Sequence, residues 1–298
     1  SYDRMKKKAD ELEAEVKRLL KEAEKTDAAE DATYGAGKRG DELPDELRFR
    51  QSRLKKIQEA KKALEDEARA AAAEEQAEYE AKVKAREERG NRGRPPKPPS
   101  EEPEPKSQRN FTDPDSRIMP IGGKSFTQGY NCQAAVDDES QIIVAADVTQ
   151  STVDKQQVKP MVEHIKTNTG EKPKKLSADT GYFSEDNVEA LTEEGIDAYI
   201  ATEKQNHGKP SPPCPRGRIP KNATVKDRMG RKLRTVKGRT TYSLRKEIVE
   251  PVFGQIKAVR GFDRFSFRGH ENVRNEWNLV CLGHNILKLF NSGWVPAT

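Results

Sequence analysis

Apolar residues are sparse in the first 90 positions, and they recur at helical spacing. Intervals of three, four and seven residues relate the members of two sets: Met5, Leu12, Val16, Leu19 and Leu20, then Leu47, Leu54, Ile57 and Leu64. Such a/d-like positions among many lysines and glutamates predict two helices in a coiled-coil-like hairpin. A glycine-rich break at 34–40 separates them. We interpret this arm either as a solvated structural element or as a device for dimerisation or for gripping DNA.

Prolines end the helical pattern at residues 91–108. Six prolines fall in this stretch, and proline is unfavourable inside both helices and sheets. We therefore expect an extended linker here. It would separate a helical arm at 1–90 from a second domain at 109–298.

Short β signals alternate with amphipathic helices after residue 110. Strands are predicted at 130–136, 142–148, 175–178 and 197–201, and helices at 154–166, 184–195, 241–259 and 272–290. Residues 203–238 are rich in proline, glycine, lysine and arginine, and we interpret them as a basic loop. This order predicts an α/β domain with a mixed sheet and flanking helices.

Composition limits the size of the core. Charged residues make up 35% of the chain, apolar residues 33%, and the mean hydropathy is -1.00. No run of about 18 apolar residues exists, which excludes a membrane-spanning helix, and no secretory signal is visible. The three cysteines form no C-x-x-C pair, so a reducing cytoplasm is the natural compartment.

Charge is distributed unevenly along the chain. Residues 204–275 carry 19 lysines and arginines against 5 acids, a net charge of +14, whereas the whole chain carries +5. The rest of the chain is therefore negative. This segregation indicates a polyanion as the partner of the C-terminal third.

Two acids occupy positions that suit catalysis. Asp179 follows a predicted strand directly, and α/β folds bind ligands at such strand ends; a simple surface turn is the alternative. Glu250 lies among apolar residues of a predicted helix. It is either a functional carboxylate or the partner of a nearby cation in an internal salt bridge. Asp137 and Asp154 are further acids at strand or helix ends, and each by itself suits a turn or a cap.

Carboxylates from a sheet edge and from a helix, beside a basic region, are typical of phosphodiester chemistry. Two divalent metals held by such oxygens activate a water or a 3′ hydroxyl and stabilise the leaving oxygen. Magnesium prefers oxygen ligands of this kind. No phosphate-binding loop is present, so nucleotide hydrolysis is not indicated.

Four segments resemble transposases of bacterial insertion sequences. They are NFTDPDSRIM at 110–119, GYNCQAAVD at 129–137, ADTGYFS at 178–184 and VEPVFGQIKAVRGFDRFSFRG at 249–269. Such transposases are DDE enzymes with an RNase H-like catalytic domain. Their Tyr, Arg, Glu, Lys signature is matched by Tyr242, Glu250 and Lys257, with Arg245-Lys246 at the position of the arginine.

The resemblance assigns roles to individual residues. Asp179 would be the second acid of the triad and Glu250 the third, and both would bind Mg²⁺ or Mn²⁺. The first acid would lie on a strand that precedes the arm, so we expect that strand to lie upstream of Ser1, with Asp137 as a fallback. DNA contacts are expected at Tyr242, Arg245, Lys246, Lys257, Arg260, Arg264 and Arg268.

The leading hypothesis is therefore a metal-dependent transposase that cuts and joins insertion-sequence ends. It would act in the bacterial cytoplasm on double-stranded terminal repeats, as a homodimer when active. One alternative is a non-catalytic DNA-binding remnant that regulates or interferes with transposition. Another is a helical scaffold protein with a basic tail.

Overall fold

A computed structural model describes residues 1–34, 45–88, 95–121, 125–203 and 212–293. The chain divides into two compact units, Ser1–Pro114 and Asp115–Thr298. Most of the glycine-rich break, the start of the proline-rich stretch and the first part of the basic loop lie outside the described residues.

The first unit is built on two long helices, α1 (Tyr2–Tyr34) and α2 (Asp45–Glu88). They pack antiparallel, since the Tyr2 hydroxyl donates to Glu65 whereas Glu15, further along α1, pairs with Arg50 near the start of α2. Their shared core confirms most of the predicted apolar positions: Met5, Leu12, Val16, Leu47, Leu54, Ile57 and Leu64. Ala9 and Ala60 are buried with them. The long helical arm that the sequence predicts is therefore present.

Residues 95–114 also belong to the first unit. The backbone N–H of Tyr2 donates to the carbonyl of Ser107 at 2.8 Å, and the Arg109 guanidinium pairs with Glu67 at 2.5 Å. Pro103 is buried. The described part of the proline-rich stretch thus packs against the start of α1. The division into domains at 91–108 stays a prediction.

The second unit contains three two-stranded sheets among its described residues. Strand β1 (Arg117–Ile121) pairs antiparallel with β2 (Ser125–Gly129), and β3 (Asn131–Val136) with β4 (Ile143–Thr149). Strand β5 (Lys175–Ala178) pairs parallel with β6 (Asp197–Ile200). The mixed α/β class predicted from the sequence is confirmed, with small sheets. The β1–β2 hairpin was not predicted, because its residues are mostly exposed and show no apolar alternation.

Five helices cover these strands: α3 (Val158–Thr169), α4 (Glu185–Glu193), α5 (Val225–Arg234), α6 (Val236–Gly254) and α7 (His270–Asn291). Helix α3 packs on β4, α4 on β6, and α6 on both β5 and β6. The predicted basic loop is wrong where α5 and the start of α6 form. A capping box of Thr224 and Asp227 begins α5, and it satisfies backbone donors that the first helical turn leaves open.

Helix α6 contains Pro251 and continues into a π-helical turn at Gln255–Val259. Proline has no N–H, so the carbonyl of Glu247 four residues earlier has no donor within the helix. The side-chain amide of Gln141 supplies one, at 2.7 Å. The proline is thus compensated by a residue of the β3–β4 turn.

Gln141 also binds α7. Its carbonyl accepts from His284 Nε2 at 2.9 Å, and its side-chain oxygen accepts from Lys288 Nζ at 2.5 Å. Its φ of 58° lies in the left-handed region, which non-glycine residues rarely adopt. Three hydrogen bonds therefore join this strained turn residue to the helix that carries Glu250 and to its neighbour.

Candidate active site

Asp179 lies directly after β5, where the sequence places it. It precedes a 3₁₀ turn at Thr180–Tyr182 and caps it, since its Oδ1 accepts from the Gly181 N–H at 2.8 Å. The residue is exposed to solvent. A carboxylate at the C-terminal end of a parallel strand is open to a ligand there.

Asp154 lies close to Asp179, although it follows a different pair of strands, β3 and β4. It follows β4 and opens the 3₁₀ turn Asp154–Gln157 that leads into α3. Its Oδ1 accepts from Asn131 Nδ2 at 2.6 Å and from Gln133 Nε2 at 3.0 Å. Gln133 is only 2% exposed. The orientation of Asp154 is therefore fixed by amide donors on β3.

The two carboxylates converge at Gly181. A methyl group there would lie 2.8 Å from Asp154 Oδ2 and 3.1 Å from Asp179 Oδ1. The two oxygens are therefore no more than about 6 Å apart. The first distance is shorter than a carbon–oxygen contact allows, so a side chain at this position would displace the Asp154 carboxylate.

The pKa of the Tyr182 hydroxyl is affected by both acids, Asp154 and Asp179. Burial, followed by the charges of Asp154 and Asp179, raises the pKa of its hydroxyl far above the ordinary value. The neutral hydroxyl donates to Gln133 Oε1. Gln133 therefore accepts from Tyr182 with its oxygen and donates to Asp154 with its nitrogen, which fixes the direction of the amide.

Two carboxylates whose oxygens lie no more than about 6 Å apart can share a hydrated divalent cation, directly or through its waters. Mg²⁺ is commonly held by one or two carboxylates and keeps several waters. In the described part of the chain, no group of three histidine, cysteine, aspartate or glutamate side chains is arranged to hold a metal. Asp154 and Asp179 thus fit one ion, and a complete two-metal site needs a further carboxylate.

Glu250 is exposed on α6. Because α6 packs on β5 and β6, the helix lies against the strand that ends at Asp179. Among the described residues, Glu250 forms no salt bridge, so the structure does not show the internal ion pair that was its structural alternative. Its role as the third acid stays a prediction.

Asp137 is engaged in the β3–β4 turn. Its Oδ2 accepts from the N–H and the hydroxyl of Ser140 at 2.8 and 2.6 Å, and from the N–H of Glu139 at 3.2 Å. Burial raises the pKa of Asp137, but these hydrogen bonds outweigh it and leave the pKa below its ordinary value. The carboxylate serves the turn, and its role as a substitute first acid stays a prediction.

The predicted DNA-contacting residues lie on α6, on its π turn and in the following loop. Arg245 stacks over the Tyr242 ring at 5.6 Å, and Lys257 lies 5.8 Å from the Phe253 ring. Arg260 donates to the carbonyl of Gly283 at 3.1 Å. Three further side chains of this set are exposed, those of Lys246, Arg264 and Arg268.

Sequence reasoning missed the pairing of Asp154 with Asp179. Asp154 was interpreted by itself as a turn or cap, because 25 positions separate it from Asp179. The available signal was its place at the start of a helical turn, in the connection that leads from β4 to α3. Gln133 gave no signal, since an amide on a strand is ordinary in sequence.

The same α/β unit has a strongly basic C-terminal part, and such clustered positive charge is typical of proteins that bind nucleic acid. A family model described as Transposase DDE domain matches residues 106–286. The chain therefore belongs to the DDE transposase family. No match was found among curated proteins or among solved structures.

Family membership carries two general implications. DDE transposases bind DNA, and they generally depend on a divalent metal. In the parts of the chain that the structure describes, no helix has the length and apolarity to cross a membrane.

Proposed function

We propose that the chain is a metal-dependent transposase that cuts and joins the ends of an insertion sequence. The observation that carries this proposal is the convergence of Asp154 Oδ2 and Asp179 Oδ1 at Gly181. Family membership supports the same reaction class. The proposal includes Mg²⁺ or Mn²⁺ as the metal, double-stranded terminal repeats as the substrate, a homodimer as the active form and the bacterial cytoplasm as the location.

Each site residue has a defined part in this proposal. Asp179 and Asp154 hold the cation, and Glu250 supplies the third carboxylate from α6. When bound, the divalent metal activates the attacking hydroxyl and stabilises the leaving oxygen. Gln133 holds the Asp154 carboxylate in one orientation through a 3.0 Å hydrogen bond, which limits reorganisation when the cation binds.

Nicking of terminal-repeat DNA tests the catalytic proposal. Asp179→Asn and Asp154→Asn each remove one negative oxygen while keeping the shape, and each is expected to lower the magnesium-dependent rate at least about tenfold. Asp186→Asn, in the exposed first turn of α4, is the matched control and is expected to keep the rate. Unchanged nicking in both site variants would contradict the proposal.

Binding of Mn²⁺ tests the site without requiring turnover. Electron paramagnetic resonance of the free ion measures its affinity for the chain. We expect Asp179→Asn to weaken the tightest Mn²⁺ site about tenfold or more, because a charged ligand is lost. Equal affinity in Asp179→Asn and Asp186→Asn would place the ion elsewhere.

A non-catalytic DNA-binding remnant is the second candidate. It is favoured by one observation, that the described residues hold no group of three potential metal ligands. DNA binding without metal-dependent nicking by this chain would support it. Robust nicking that Asp137→Ala abolishes would instead make Asp137 the first acid.

DNA binding by the basic C-terminal third is expected to depend steeply on salt. The logarithm of the affinity should fall with a slope of about −0.9 per neutralised phosphate. Not every cation of this region can be changed to test DNA contacts. Lys232, for example, has a structural role, because its Nζ donates to Asp197 and Ala198 at 2.5 and 2.7 Å. The exposed Arg264 and Arg268 are better targets, and changing both to alanine is expected to reduce the slope. An unchanged slope would contradict the assignment of phosphate contacts to these two arginines.

A further inference from the structure

The helical arm carries a groove that the proposed catalytic chemistry does not use. It encloses about 590 Å³ between α1, α2 and residues 108–111. Its floor includes the buried apolar side chains of Met5 and Ile57. Ligand pockets typically measure roughly 300–1,000 Å³, so the groove is large enough for part of a ligand to enter.

Cations dominate the charge of this groove. Arg4, Lys8, Arg53, Lys56 and Arg109 line it, and no lining residue is a carboxylate. Lys8 and Arg109 each pair with a glutamate outside the lining. Within the described chain, the other three form no ion pair. A concave surface with several unneutralised cations attracts an anionic partner.

Two exposed aromatic rings form part of its walls. Phe49 on α2 is 66% exposed, and Phe111 on the returning segment is 51% exposed. Large apolar side chains this exposed contribute little to the core of the arm. Cations combined with accessible aromatic faces are the surface on which proteins bind unpaired nucleotides, because bases stack on the rings while the phosphates meet the cations.

We propose that this groove binds a DNA strand whose bases are unpaired. Arg53 and Lys56 contact the phosphates, and Phe49 and Phe111 stack on bases. A duplex would satisfy the cations but would keep its bases away from the rings, and an acidic peptide would leave the aromatic faces unused. The inference rests on the proposed function only in the choice of DNA as the polyanion.

Photocrosslinking of the full chain locates the bound strand. The probe is a 20-nucleotide oligodeoxythymidine with internal 5-iododeoxyuridine, used with EDTA so that no cleavage occurs. Mass spectrometry of the adducts is expected to find crosslinks at Phe49 or Phe111. Adducts confined to residues 212–293 would overturn the proposal.

Charge variants test the phosphate contacts. The double change Arg53→Ala with Lys56→Ala is expected to raise the oligonucleotide concentration for half-maximal crosslinking in the arm about tenfold. Lys55→Ala with Lys62→Ala removes the same charge from α2 outside the groove and is expected to leave that concentration unchanged. Equal losses in both pairs would overturn the assignment.

Competition separates base stacking from charge alone. Two competitors are compared with unlabelled oligodeoxythymidine: a duplex of the same length and a poly-glutamate of equal charge. Each is expected to need at least about tenfold higher concentration to displace the crosslink. If either competitor displaces the crosslink as well as unlabelled oligodeoxythymidine does, the groove binds by charge alone, which contradicts the proposal. Asp179→Asn is expected to keep the arm crosslink, so failure of catalysis and failure of this inference are distinguishable.

Discussion

At the scale of single residues, the candidate site depends on the absence of a side chain at Gly181. Two carboxylates approach this position from different elements, and the nearer one lies 2.8 Å from where a Cβ would be. The residue is therefore a spacer that lets Asp154 and Asp179 face the same volume.

Gly181→Ala is expected to separate the acidic pair without removing either acid. The added methyl group would push Asp154 Oδ2 away, and metal-dependent nicking should fall about tenfold or more, since small displacements at a reacting centre are costly. Gly254→Ala, in a helix with open space around the added atom, serves as the control. Full activity of the Gly181 variant would show that the pair does not act together.

His284 is expected to make folding stability depend on pH. It is fully buried on α7. Burial lowers its pKa, the bond to Gln141 partly opposes this, and the charges of Lys288 and Arg260 lower it further. The folded pKa thus lies below the unfolded value of about 6.5. The contribution to stability is complete above that pH and is lost as the pH falls toward the folded pKa.

Urea unfolding at pH 7.5 and 5.5 measures this effect. His284→Gln keeps an amide donor for the Gln141 carbonyl but cannot titrate, so its free energy of unfolding should fall less between the two pH values than that of the parent chain. All other groups are the same in both proteins and cancel in the comparison. An equal fall in both would assign the pH dependence to other groups.

At the scale of elements, α6 depends on a residue outside it. Pro251 leaves the Glu247 carbonyl without an intrahelical donor, and Gln141 supplies the bond. Gln141→Ala removes the amide and should cost about 0.5–1.5 kcal/mol, because an exposed carbonyl exchanges its partner for water. Chemical denaturation measures the loss. Adding Pro251→Ala should recover part of it, since an N–H returns to the helix. Additive losses in the double variant would contradict this account.

The sequence predicts an element well when its regularly spaced apolar residues are also the residues that the folded chain buries. Helix α3 buries Val158, Met161, Val162 and Ile165 on one face, as its spacing indicates. Helix α5 was not predicted, because it buries only Met229 and most of its other residues are charged. The capping box at Thr224 was the available signal.

The candidate site was predictable only where local position suffices. Asp179 was found because it ends a strand. Its neighbour Asp154 was not, because their approach is produced by contact between the two 3₁₀ turns, Asp154–Gln157 and Thr180–Tyr182. Side-chain bonds from Gln133 to Asp154 and Tyr182 fix that arrangement, and sequence spacing does not encode them.

At the scale of the whole molecule, the arm and the segment after it form one compact unit that ends at Pro114. The boundary predicted from the sequence lies at residue 90. We expect a fragment of residues 1–114 to melt at a higher temperature than one of residues 1–90. The longer fragment keeps the hydrogen bond from Tyr2 to Ser107 and the ion pair of Arg109. Thermal melting followed by circular dichroism compares them, and equal midpoints would support the boundary at 90.

The turn at Gln141 has a consequence for how the second unit opens. When this turn comes apart, α6 loses the donor to Glu247 and α7 loses the acceptor of His284 in the same event. The β3–β4 pair and both helices should therefore open as one cooperative unit rather than fray separately. Their slowest amide protons would then exchange with solvent deuterium at a common free energy, and that energy would fall together across all of them in Gln141→Ala.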